Sequence, residues 1–111
     1  MSYSSFNETI YKARDAAEHP EKFTSSALAQ YADALDSGNL VLWGFVAAIG
    51  QVMLNSNDNC NAWDTDNLFG IGEGLAAVSD LAQGICKTMD TLRYVIGERR
   101  AQAKSIAEGA K

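Results

Sequence analysis

The stretch LFGIGEGLAAVSDLAQGICKTMDTLRYVI, residues 68–96, decides the fold. Within it Leu68, Ile71, Leu75, Val78, Ala82, Ile85, Met89, Leu92 and Ile96 recur at alternating three- and four-residue steps, and Arg99, Ala103 and Ile106 continue the series. Such steps place every member on one stripe of an α-helix, the stripe by which a helix lies against others. Arg99 is the one charged member. A helix running unbroken from Thr65 to Ala107 would be roughly 60 Å long at about 1.5 Å per residue, longer than a compact domain of this size is wide. Either it kinks near Gly84 or Gly97, or its far end projects and pairs with something. The series runs on past Gly84, so a projecting helix is favoured. Its self-association stripe would be Met89, Leu92, Ile96, Ala103 and Ile106, with residues 98–111 a projecting or frayed tail.

Ahead of this helix lies a turn-rich segment, residues 55–66, dense in Asn, Asp and Ser, which hydrogen-bond their own backbone in loops. Asp64 is placed to cap the helix, and Trp63 with Leu68 has the spacing of a hydrophobic staple. Upstream again is LVLWGFVAAIGQVML, residues 40–54, inside a charge-free run from Ser37 to Asn57. The apolar core is shorter than the roughly 20 residues that cross a bilayer, contains Gln51 and has no adjoining cluster of cations. It reads as a central buried helix with Trp43 in the core. Its small residues Gly44, Ala47 and Ala48 would meet Gly70, Gly74 and Ala77 in close helix contact.

Two shorter helices precede it. One starts at the capping-box spacing Ser5-x-x-Glu8, turns Phe6, Ile10, Ala13 and Ala17 to one side, and stops at His19-Pro20, because proline disfavours helix in the residue before it. The next starts at Thr24, with Phe23 and Leu28 as staple, and ends at Ser37-Gly38. The expected fold is all-α: a four-helix, bundle-like single domain over residues 1–111, with three shorter helices around the first part of a long fourth.

Charge and cysteine usage narrow the function classes. Nine basic and fourteen acidic residues give a formal charge of −5, which disfavours broad contact with a phosphate backbone. The segment from Asp58 to Asp90 holds six carboxylates and one lysine, while Arg93, Arg99, Arg100 and Lys104 make the last helix locally basic, a charge that suits the negative end of a helix dipole. Cys60 and Cys86 form no C-x-x-C, and His19 is the one histidine, so neither a zinc site nor any other metal or cofactor is expected. The first residues carry no secretory pattern, and free thiols in the cytoplasm are the simplest case.

Candidate chemistry is thin. The glycines of residues 70–74 follow no strand and precede no lysine, against a phosphate loop. Counted from Asp64, the fifth and sixth positions are Leu68 and Phe69, against an EF-hand. Cys86, beside Ile85, reads as core; Cys60 lacks a neighbouring cation to activate it. The favoured function is a small, acidic, non-enzymatic protein-interaction module, an inhibitor or regulator that binds and blocks another protein such as a toxin or a nucleic-acid-binding host factor. Its contact residues would be Asp58, Trp63, Asp64, Asp66, Arg93, Arg99 and Arg100, and it would form a homodimer through the last helix, with no membrane partner. The alternatives are a nucleic-acid-binding regulator using the basic C-terminal helix and a small enzyme of unknown reaction, for which His19, read here as a helix cap, is the first residue to test.

Overall fold

The computed structural model describes residues 3–59, 61 and 63–109, with Tyr3 and Ser4 described by their backbone alone. Cys60 lies outside the described residues. Among the described residues the chain is all-α, 90% helical, with three α-helices rather than four. They are α1 (Tyr3–Glu18), α2 (Ser25–Asn55) and α3 (Thr65–Gly109), and a 3-10 turn, Pro20–Lys22, joins the first two.

Helix α1 begins before the capping-box position, and Glu8 instead pairs with Lys12 one turn on at 3.0 Å. Proline ends α1 as its missing N–H requires, and the chain re-enters helix at Thr24, whose hydroxyl accepts the Ala27 N–H at 3.1 Å. Phe23 meets Tyr31 edge-on, with ring centroids 6.0 Å apart.

The expected stop at Ser37-Gly38 does not occur: α2 runs through it, fusing the second and third expected helices. Gly38 keeps an ordinary helical conformation, since no glycine has positive φ. Its lack of a side chain serves a different purpose. A Cβ built there would overlap the Phe6 ring, so the glycine is where α1 seats its first aromatic against α2.

Three helices pack together only over part of their length. Ala13 and Ala16 of α1, Leu28, Ala32 and Leu35 of α2, and Ile85, Met89 and Leu92 of α3 form the core, with Phe6, Ile10, Phe23 and Ile96 packed against it. The ladder read from the sequence is the stripe that does this. Beyond Asn39, level with the start of α1, α2 and α3 continue side by side as a two-helix arm to the tip, where the chain turns between Asn55 and Thr65. There the half-buried residues are Leu42, Val46, Ile49 and Met53 on α2, and Ile71, Leu75 and Val78 on α3.

The apolar segment 40–54 is therefore not a central buried helix. One neighbour covers one face, and the remainder meets solvent: Leu40, Val41, Phe45, Val52 and Leu54 are all exposed, and Trp43, expected in the core, is 47% exposed. The expected contact between small-residue faces is also absent. A Cβ at Gly44, Gly70 or Gly74 would touch nothing within 4 Å, because the bulkier Leu42, Val46 and Ile49 set the spacing between the helices.

Helix α3 breaks at neither Gly84 nor Gly97. Beyond the core its last residues, 100–109, are exposed. The molecule measures 72 × 24 × 20 Å, with a radius of gyration of 19.7 Å, against about 13 Å for a compact chain of this length.

Candidate functional site

The fold leaves one feature that its own packing does not finish. Helix α1 lies antiparallel to α2 in the groove between α2 and α3, with Phe6 on Gly38 of α2 and Arg14 near Gly84 of α3. From Gly38 toward the tip, steps of three and four lead along the same side of α2 to Val41, Phe45, Ala48 and Val52. From Gly84 the matching steps lead along α3 to Leu81, Ala77, Gly74 and Gly70. The groove thus runs on past the end of α1 with no third helix in it. Its open part holds about 470 Å³ and is lined by Phe45, Ile49, Gly70, Ile71, Gly74 and Leu75, with Asp66 at the tip end.

The charges around this groove are one-sided. No lysine or arginine stands between Lys22 and Lys87. On α3 the exposed Glu73 and Asp80 face away from α2, opposite the inward Ile71, Leu75 and Val78, while Asp66, seven residues before Glu73, borders the tip end of the groove. The arm of α2 carries no charge at all.

The residues expected to bind a partner fall at opposite ends of the molecule. At the tip, Asp64 caps α3 by accepting the Asn67 N–H at 2.8 Å. The half-buried Trp63 donates its indole N–H to the Ser56 carbonyl and clasps the turn. Asp58 and Asp66 are exposed there. At the core end, Arg99 fills its place in the ladder by donating to the carbonyls of Pro20 at 2.7 Å and Phe23 at 3.0 Å, and to the Ser25 hydroxyl at 3.1 Å. Its guanidinium binds the corner between α1 and α2, a role that periodicity could flag only as an anomaly. Arg93 approaches Asp36 at 3.9 Å, and Arg100 is exposed. Of the stripe assigned to self-association, Met89 and Leu92 are buried in the chain's own core and Ile96 packs on it. Ala103 and Ile106 are exposed on the tail.

His19, just past α1, has its side chain half exposed, with Nδ1 3.8 Å from Glu21. Cys86 is a free, half-buried thiol, and Asn39 Nδ2 donates to its sulfur at 3.2 Å. Among the described residues no three His, Cys, Asp or Glu side chains gather in a metal-binding group. Sequence reasoning missed the open groove, although its lining could be read as a second three-four ladder on each helix. Compared with known proteins, the chain matches no family model, no curated protein and no solved structure.

Proposed function

We propose that the chain is a non-enzymatic helical interaction protein that works by receiving another apolar helical surface in the open groove of its arm. The observation that carries this reading is the continuation of the α1 seat into an unfilled, largely apolar trough lined by Phe45, Ile49, Gly70 and Gly74, with Asp66 at its tip end. A three-helix groove with two helices in it exposes apolar area that a third element would remove from water, at roughly 25 cal/mol per Å². Such exposed apolar surface on a small chain marks an interaction site. An inhibitor or regulator of this kind acts by occupancy, so it needs no catalytic group, and the free thiol of Cys86 suits a reducing compartment.

The test places a photo-crosslinking phenylalanine analogue at position 45 and, as a control, at position 104 on the exposed tail, in the cell of origin. Position 45 is expected to yield discrete adducts heavier than the chain and containing protein, with none of the same mass from position 104. Absence of any protein adduct from position 45 would remove the reading.

A further inference from the structure

The groove lacks an occupant, and four observations identify one. The first is the position of α1. It sits on the groove face at the core end, so two copies laid face to face with their tips together would bring their α1 helices into collision. Laid with tips opposed, the arms overlap fully, and each α1 ends where the other copy's tip begins. The second is the groove lining of the α2 arm, where the apolar Phe45 and Ile49 stand one turn apart on either side of the level of Ala47. An antiparallel crossing of two such helices at Ala47 sets Phe45 of one against Ile49 of the other, the self-complementarity that a two-fold contact needs.

The third is area. The chain exposes 7839 Å², whereas a compact monomer of its mass exposes about 5,900 Å². The surplus, shared between the arm and the exposed tail, is more than twice the roughly 800 Å² per partner that a stable interface buries, so the arm's share can supply one. The fourth is charge. In the antiparallel arrangement the carboxylates of one tip, Asp58, Asp64 and Asp66, lie over the dipole-positive start of the other copy's α1. Glu73 and Asp80 stay on the outer face of α3 in water. Helix α2 is long and apolar enough to cross a bilayer. A bilayer around the arm, however, would have to enclose Asp66, Glu73 and Asp80, and no lysine or arginine within residues 23–86 could hold anionic headgroups.

From these we infer that the open groove is filled by the arm of a second copy of this chain, antiparallel and groove to groove, so that two two-helix arms close into a four-helix bundle. The inference rests on the reading of the groove as an interaction surface and names its partner. Helix α2 of one copy lies along α2 of the other and α3 along α3, with Gly74 and Ala77 allowing the α3 backbones to approach.

The test uses the full chain. Sedimentation is run from sub-micromolar to high-micromolar concentration on the wild type, on Phe45→Lys and on Gly74→Leu, with circular dichroism to check folding. Gly74→Leu is the safeguard, because its Cβ enters open space within the chain yet fills the groove. The wild type is expected to dimerise, and each variant to raise the dissociation constant at least about tenfold. In a mixture of isotopically light and heavy chains, the photo-probe at position 45 should join light to heavy within residues 46–53. A dimer that both variants leave intact would overturn the placement. A wild type that stays monomeric while position 45 captures a different protein in the cell would overturn this inference and leave the interaction reading standing. Co-sedimentation with phosphatidylcholine–phosphatidylglycerol vesicles, with no protein adduct from position 45, would overturn both.

Discussion

Two residues that break a sequence rule turn out to hold the molecule's corners. Gly38 looks like a helix terminator and is a seat for Phe6; Arg99 looks like an error in an apolar stripe and ties down the turn between α1 and α2. The physics of each site predicts its response to mutation. Replacing a helical glycine by alanine ordinarily gains up to about 1 kcal/mol, but at Gly38 the added methyl would meet the Phe6 ring. Overpacking of that kind costs about 1–3 kcal/mol. Gly38→Ala is therefore expected to destabilise the chain by about 1–2 kcal/mol in urea unfolding, and Gly38→Ala combined with Phe6→Leu to recover part of the loss. Neither role was legible from the sequence. Glycine marks a helix end and a close helix contact with the same letter, and the residue that distinguishes them here, Phe6, lies far away in the chain. For Arg99 the acceptors are backbone carbonyls, which no sequence pattern displays. Asn39, buried at 7% exposure and level with the start of α1, donates its Nδ2 to Cys86 Sγ at 3.2 Å and leaves Oδ1 unpartnered.

At the scale of elements, α1, the caps at Thr24 and Asp64, and the continuous face of α3 were readable because each depends on neighbours within a turn or two. The extent of α2 was not. An apolar run of fifteen residues states what a helix could bury, not whether the chain has helices to bury it with, and the single neighbour along the arm leaves most of the run exposed. Glycines in the arm sharpen the distinction. Gly72 stands on α3 outside the groove ladder and has nothing near its missing side chain. Gly72→Ala should raise stability by about 0.5–1 kcal/mol, measured by thermal or denaturant melting, while leaving the mass in solution unchanged. The contrast with Gly38→Ala separates a glycine kept for contact within the chain from one that contact does not require.

For the whole molecule, the informative number is the mismatch between length and girth. A chain with core residues enough for a compact domain is drawn out to 72 Å, since its two long helices each continue past the region where three pack together. The two ends differ in kind. Residues 101–109 are exposed helix outside the core, and ending the chain after Arg100 is expected to change unfolding free energy by no more than about 0.5 kcal/mol. Ending it after Gly97 instead removes Arg99 and its three hydrogen bonds, with an expected loss of about 2–3 kcal/mol. Comparing the two truncations in one melting series isolates the clasp from the tail. The candidate site was the least legible feature at this scale. It is defined by where α1 stops relative to α2 and α3, a relation among three helix lengths that no single segment contains.

That relation makes α1 a ruler. The arm from residue 40 to residue 54 is about 22 Å long, and one further turn of α1 would cover about 5.4 Å of it. The length of groove left open is thus set by a helix that contributes none of the arm's groove-lining residues. One turn gained or lost at the start of α1 would rescale that opening by about a quarter while Phe45, Ile49 and the α3 glycines stayed unchanged, so the size of the groove can drift through helix length alone.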